Sequence, residues 1–324
     1  MVSCVFLRLG ALKQTSLMDH AAEGALGPLH SSMVPDEPKS LVRLVREEPT
    51  DLDTRLQPED SHLNGESAEP LSEVLQNTVL NLYSSHVSAD GKSVDYRALS
   101  CSPVFSRYRE LAVQLQRVQL GSLSREETLS FFINIYNALV IHGTLLMGTP
   151  KNLWQRYRFF NYVSYIIGGE VFTLQDIENG VLRGNRRGVA QLLKPFSKGD
   201  PRLQAALPGA EPLVHFALNC GTRGCPPIKT YSAQDIDRQL HTAAQAFLEN
   251  EDACTVDTMK AEVKLSQIFK WYKVDFGNTD AKLLSWIVTH MSESPKKASL
   301  QALLATGKYK VSYLPYDWST NSMD

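Results

Sequence analysis

The sequence predicts an α+β domain, with a helical N-terminal half and a C-terminal half in which short strands mix with helices. Three observations carry this. Apolar residues recur at helical spacing from Leu71 to Leu146, and short strand-like runs bounded by glycine appear only further on. The regular strand-helix-strand alternation of a doubly wound sheet is missing.

The chain has 324 residues, 43% of them hydrophobic, which is enough for a sizeable core. A net charge of −2 and a pI near 6.5 give no whole-molecule argument for nucleic acid or an acidic membrane. The charge is unevenly spread: residues 1–70 hold 12 Asp and Glu against 6 Lys and Arg. That stretch is also rich in Pro and Ser and shows no sustained apolar period, so 1–70 is expected to be disordered and 71–324 to form the domain.

Five cysteines (Cys4, Cys101, Cys220, Cys225 and Cys254) are few and odd in number for a disulfide-built secreted chain. The start, "MVSCVFLRLGALKQ", meets Arg8 and Lys13 almost at once and offers no signal cleavage site. No run approaches the roughly 18 consecutive apolar residues of a membrane span, so no span is expected and the cytosol is the expected compartment.

The first helix is expected from Leu71, with Val74, Leu75, Thr78, Val79 and Leu82 on its apolar stripe, and Asp90-Gly91 as the turn that follows. A second helix starts at Ser102 as N-cap with Pro103 at its first position, and its apolar face is Phe105, Tyr108, Leu111, Ala112 and Leu115. The third, "SREETLSFFINIYNALVIHGTLL", opens on a capping box of Ser124 and Glu127 and is apolar on nearly every side from Leu129 to Leu146. It should be the buried centre of the domain, and its interior polar residues Asn134, Asn137 and His142 then need partners.

Further on, "YVSYIIGGEVF" reads as a hairpin turning at Gly168-Gly169, and "TLQDIENGVL" as a short helix capped by Thr173. "LVHFALN" reads as a strand, "SAQDIDRQLHTAAQAFL" as a helix capped through Ser232 and Asp235, and "CTVDTMKAEVKL" as a hairpin. "KLLSWIVTHM" is a helix and "KYKVSYL" a late alternating strand.

Two signals carry little. Asp275 to Gly277 spell the Asp-Phe-Gly of protein kinases, but no Gly-rich phosphate loop or His-Arg-Asp loop accompanies them. The basic run around Arg183, Arg186 and Arg187 reads as solvated surface because no aromatic residues interleave it, so there is no strong nucleic-acid signal.

The chemistry concentrates in "LVHFALNCGTRGCPP", Leu213 to Pro227. Cys220 ends the expected strand and opens a Gly-containing loop whose free N–H groups could bind an oxyanion, with Arg223 as a nearby positive charge for a thiolate. In an extended strand His215 and Cys220 point to opposite faces and lie roughly 16 Å apart at about 3.3 Å per residue. His142 is therefore the first choice of base, with His215 suitable only if the strand ends early or bends. Two other readings stay open: cysteine as a small buried hydrophobe in a turn, and a metal or redox pair of Cys220 and Cys225, although a C-x4-C without a second pair supplies only two ligands. Glu178 is expected to form a structural charge pair with Arg183, with an acid/base role as the alternative.

Taken together, "FFINIYNALVIH", "DIENGVLR", "VHFALNCGTRGCPPIKTY", "QIFKWYKVDFG" and "YLPYDWS" resemble, in order, the blocks of the domain-of-unknown-function 547 family. The resemblance runs from about residue 71 to the C-terminus and reads as a stand-alone member, without the glutaredoxin-like, DEP or leucine-zipper attachments of some relatives. The family pattern matches Asn134, Tyr136, Asn137, Glu178, Arg183, His215, Cys220, Cys225, Pro226, Trp271, Asp275, Phe276, Asp317 and Trp318. Members often have arginine two residues before the histidine, where this chain has Leu213, so no anion contact is implied there. The resemblance implies no assigned activity, but its Asn, Glu, His and Cys look more like an active site than a packing signature.

The leading expectation is a cysteine-dependent hydrolase or acyl transferase with Cys220 as nucleophile, His142 or His215 as base, and Asn137 or Glu178 orienting it. Papain-like or transglutaminase-like architecture would suit the order of helices and strands, as fold-level analogy. The alternatives are a non-catalytic interaction or scaffold domain, in which Cys220 is buried and hydrogen-bonded to no histidine, and a thiol redox or metal site at Cys220 and Cys225. No cofactor, substrate or partner is indicated.

Overall fold

A computed structural model describes residues 69–188 and 191–323. The expected disorder of 1–70 lies outside the described residues except for Glu69 and Pro70, which already belong to the first helix, α1 (Glu69–His86). Val79 and Leu82 pack its inner face, and Asp90 closes the turn after it by accepting from the Ser88 hydroxyl and the Lys92 N–H. A short helix not expected from the sequence follows, α2 (Tyr96–Ser100), capped by Asp95. Then comes α3 (Pro103–Val113), with Pro103 in its first turn and Phe105, Tyr108, Leu111 and Ala112 buried.

Helix α4 (Arg125–Met147) is the axis of the domain. Ser124 and Glu127 form both halves of the expected capping box, and every residue from Thr128 to Thr144 is buried. By length and composition alone this helix could cross a membrane, but 89% of its apolar window is buried inside the fold, which makes it the core helix. Its two buried asparagines are satisfied as burial demands: Asn134 brackets Tyr231 with bonds to both its backbone N–H and C=O, and Asn137 bonds Asn219 N–H and Ala217 C=O.

Helix α5 (Leu153–Tyr162) leads into the expected hairpin, β1 (Ser164–Ile167) paired with β2 (Glu170–Thr173). Gly168 and Gly169 turn it with φ of +59° and +85°, where a side chain would be strained. Thr173 then caps the next element through its hydroxyl and Asp176, as expected, but that element, Asp176–Leu182, is π-helical. Gly180 has no room for a Cβ against the Phe196 ring, and the wider coil turns Glu178, Asn179 and Arg183 into the core.

The stretch read as a strand is different. Pro212–Phe216 is a 3₁₀ turn, started by Glu211, whose carboxylate accepts from Leu213 N–H, and by Pro212 at the first helical position. Next, α6 (Ile236–Glu249) starts at Asp235, and neither Asp235 nor Ser232 makes the expected side-chain cap, because Asp235 turns outward to Arg238. The second sheet holds the expected hairpin β3 (Cys254–Asp257) and β4 (Glu262–Leu265), with β5 (Lys310–Tyr313) joined parallel to β4. Between β4 and β5 come α7 (Gln267–Trp271), a 3₁₀ turn (Lys273–Phe276), α8 (Asp280–His290) and α9 (Pro295–Thr306). The architecture is α+β, with one apolar core running from α1 to α9.

Candidate functional site

The loop from Asn219 to Pro226 is built by backbone contacts at both ends. Asn137 holds its start, and the Asn219 side chain donates to Pro226 C=O while accepting from Gly221 N–H. The chain after β5 lies along it: Arg223 N–H donates to Ser319 C=O, Gly224 N–H to Asp317 C=O, and Asn321 N–H to Gly221 C=O. Gly221 sits at φ +83°, and a Cβ on Gly224 would fall 2.8 Å from Asp317 O and 2.9 Å from the Tyr316 ring. The glycines therefore allow the terminal segment to lie close enough to bring Tyr316 onto the thiols.

Those thiols form one cluster. Cys220 Sγ and Cys225 Sγ are 2.8 Å apart, neither in a disulfide and both buried. The Cys220 N–H donates to Cys225 Sγ at 3.1 Å, Thr222 Oγ1 lies 3.3 Å from each sulfur, and Tyr316 Oη is 3.2 Å from Cys225 Sγ. Burial pushes the Cys225 thiol up, but the hydrogen bonds from Cys220, Thr222 and Tyr316 outweigh it and bring it down to about 6. Arg223, the expected source of positive charge, is exposed and contributes its backbone N–H to Ser319, so neutral donors do this work. By contrast, Cys254 is pushed up to about 11 by burial.

Beside the thiols stands a charged group that the sequence reading had scattered. His215 Nε2 lies 2.8 Å from Asp275 Oδ2, and Asp275 also receives Arg183 through two nitrogens at 2.6 and 3.0 Å and Arg186 at 2.9 Å. Burial works against the Asp275 carboxylate, but His215 and Arg183 hold it well below the usual range, so it is ionised and His215 Nε2 carries the proton it donates. The other ring nitrogen, Nδ1, is then an acceptor. His215 itself is lowered by burial against the pull of Asp275 and remains neutral near pH 7. Its ring stacks on Tyr272 at 3.8 Å between centroids.

Glu178 completes the group. Its carboxylate accepts from Tyr272 Oη at 2.6 Å and Tyr136 Oη at 3.3 Å. The charge pair expected between Glu178 and Arg183 is not what forms: Arg183 points to Asp275 and Asn179, and the arginine read as solvated surface is fully buried. Glu178, His215, Cys225, Trp271, Tyr272 and Tyr316 border one small cavity of about 30 Å³, room for one or two waters.

Of the residues expected to carry chemistry, the structure gathers His215, Glu178, Cys220 and Cys225 here, and Asn137 under the loop. It leaves His142 out. His142 Nδ1 bonds the Tyr165 hydroxyl at 2.7 Å and its ring packs edge-on against Phe105; five residues along α4 from Asn137 turn it about 140° away from the loop. Burial and the Arg109 charge bring it down to about 4, so it stays neutral. The strand argument that separated His215 from the thiols fails because Pro212–Phe216 coils. Cys220 is 8% exposed and hydrogen-bonded to no histidine, which is what the non-catalytic reading expects of it, whereas Cys225 faces the cavity shared with His215. For a metal, among the described residues no three His, Cys, Asp or Glu side chains converge.

Asp275, Tyr272 and Tyr316 were missed as members of the site. The only sequence signals for them lay in the family blocks, since Asp275 is 60 residues from its histidine and Tyr316 is 91 from its thiol.

An α+β domain with a buried thiol pair, a carboxylate-anchored histidine and a tyrosine-bound glutamate around one cavity is the class this geometry defines. Residues 120–248 match the profile of the family described as "Protein of unknown function, DUF547". No curated protein and no solved structure matches the chain.

Proposed function

We propose that the domain is a thiol-dependent acyl-transfer enzyme, a hydrolase or acyl transferase, in which the nucleophile is Cys225 rather than Cys220. One observation carries the reading: a thiol lowered to about 6 and a histidine fixed by an ionised carboxylate border the same cavity. Asp275 orients His215 through Nε2, which leaves Nδ1 to move protons. The Cys225 thiolate attacks the acyl carbon, the bond to the leaving group breaks, and any proton that the leaving group needs comes from solvent. Nδ1 then takes a proton from the water, or the acceptor nucleophile, that attacks the thioester; the C–S bond breaks, Cys225 leaves as the thiolate, and the imidazolium returns its proton to solvent. Cys220 supports the thiolate through its N–H and thiol, and Asn137 positions the loop. A cavity this small admits the reacting group alone, so the rest of a substrate would bind outside it.

The test uses p-nitrophenyl acetate as a generic acyl donor. A stoichiometric burst of p-nitrophenolate is expected, with one acetyl group mapped to Cys225 by peptide mass spectrometry. The burst rate should rise with pH through about 6, as Cys225 ionises. His215→Ala should leave the burst in place and slow the turnover that follows it, hydrolysis of acetyl-Cys225, at least about 100-fold, the lower end for a lost general base. Acetylation spread over Cys101 and the lysines, with Cys225 unmodified, would sink the proposal.

A further inference from the structure

The two thiols stand in an arrangement that acyl transfer does not need. One nucleophile would suffice, yet Cys220 Sγ is held 2.8 Å from Cys225 Sγ, inside ordinary van der Waals contact and short of the roughly 2.05 Å bond of a disulfide. The five-residue step between them is fixed on both sides: the Cys220 N–H is bonded to Cys225 Sγ, Cys225 N–H to Thr222 C=O, and the outer edge to residues 317–321. The loop is thus already folded into the approach that a cross-link requires.

We propose that Cys220 and Cys225 are a peroxide-sensitive dithiol, which closes to a disulfide on exposure to a hydroperoxide and reopens with a dithiol reductant. The inference stands on the sulfur pair alone and goes beyond the acyl-transfer reading. Cys225 is the sulfur that reacts first, because it borders the cavity and its thiolate is the favoured form near pH 7. That sulfur attacks one peroxide oxygen, the O–O bond breaks, and the departing hydroxide takes a proton from solvent to become water, leaving Cys225 as the sulfenic acid. Cys220 sulfur then attacks Cys225 sulfur, and the S–O bond breaks. The hydroxyl leaves as water with the proton that Cys220 gives up. Two thiols and one hydrogen peroxide yield one disulfide and two waters. The cavity, with its room for one or two waters, is large enough for hydrogen peroxide.

Among the described residues the other thiols lack this arrangement. Cys101 is exposed and its sulfur lies 3.7 Å from the Ser100 hydroxyl; Cys254 is buried and held as the thiol. A cross-linked Cys225 could not act as a nucleophile, so oxidation would also switch off the proposed acyl transfer.

The full chain is treated with one equivalent of hydrogen peroxide, denatured under alkylating conditions and digested with trypsin. Cleavage after Arg202, Arg223 and Lys229 places Cys220 in peptide 203–223 and Cys225 in 224–229, so a disulfide holds together two peptides that otherwise separate. The expected result is that linked pair, a loss of two alkylatable thiols per chain, and recovery of both after dithiothreitol. Cys225 as sulfinic acid beside a free Cys220, a cross-link through Cys101, or both thiols still alkylating would each overturn the proposal. These readouts do not involve acyl chemistry, so failure of the acyl-transfer reading leaves them interpretable. Cys220→Ser supplies the converse, since without a resolving thiol Cys225 should proceed to the irreversible sulfinic acid.

Discussion

Two buried histidines in this domain show how a partner decides what a side chain can do. His142 bonds a tyrosine hydroxyl among aromatic rings, and burial leaves it neutral down to about pH 4; His215 has a carboxylate behind it and an acceptor nitrogen in front. His142 is lowered on folding from the ordinary value near 6.5, so the unfolded chain takes up the proton first. Its contribution to stability is complete above about pH 6.5 and is lost as pH falls towards 4, by about 3 kcal/mol. Chemical denaturation at pH 7.5 and pH 4.5 should therefore show a smaller loss on acidification for His142→Gln than for the native chain. His215, also lowered by burial, acts in the same direction and leaves part of the slope in place. A loss unchanged by the substitution would contradict the assignment. At Arg183 the charge cannot be escaped: it and Asp275 are both fully buried. Arg183→Ala should cost about 3–5 kcal/mol, the usual penalty for orphaning one member of a buried pair, read as a shift in denaturation midpoint.

At the level of elements, the loop from Asn219 to Pro226 depends on a neighbour almost a hundred residues away. Gly224 is the contact point, and Gly224→Ala would drive a Cβ into Asp317 O and the Tyr316 ring. The substitution should destabilise the fold by about 1–3 kcal/mol. It should also push Tyr316 off Cys225, and alkylation against pH would report this as a rise of the thiol from about 6 towards the ordinary value. Unchanged alkylation in a folded Gly224→Ala protein would show that Tyr316 does not set the thiol. Helix α4 and the hairpin at Gly168-Gly169 were legible because their signals are local: a capping box, an unbroken apolar run, two glycines at a turn. "LVHFALN" misled because a short apolar run has no period that separates strand from coil, and only Glu211-Pro212 ahead of it marked a helical start. The π-helical coil at Asp176–Leu182 left no such mark, since its widening depends on Gly180 meeting Phe196 from another part of the chain.

Across the whole molecule, the site is a product of tertiary contacts. Sequence reasoning could identify Cys220, Cys225, His215 and Glu178 as chemically capable, but it could not set His215 on Asp275 or Tyr316 on Cys225, because nothing local encodes those pairings. The family match ends at residue 248, before Tyr272, Asp275 and Tyr316. Within 120–248 Glu178 would lose the Tyr272 hydroxyl, His215 its carboxylate and its stacked ring, and Arg183 its buried counter-ion. Each leaves a charged or polar group short of partners in an apolar setting, at a cost of several kcal/mol against a net stability that is seldom above about 15. The segment 120–248 expressed alone should therefore lack a cooperative unfolding transition by circular dichroism, while the full chain unfolds in one step and loses fast Cys225 alkylation at the same denaturant concentration. A cooperative transition in the isolated segment would mean that the charged group is dispensable for folding. It would then have to be explained by the chemistry it performs rather than by the structure it holds together.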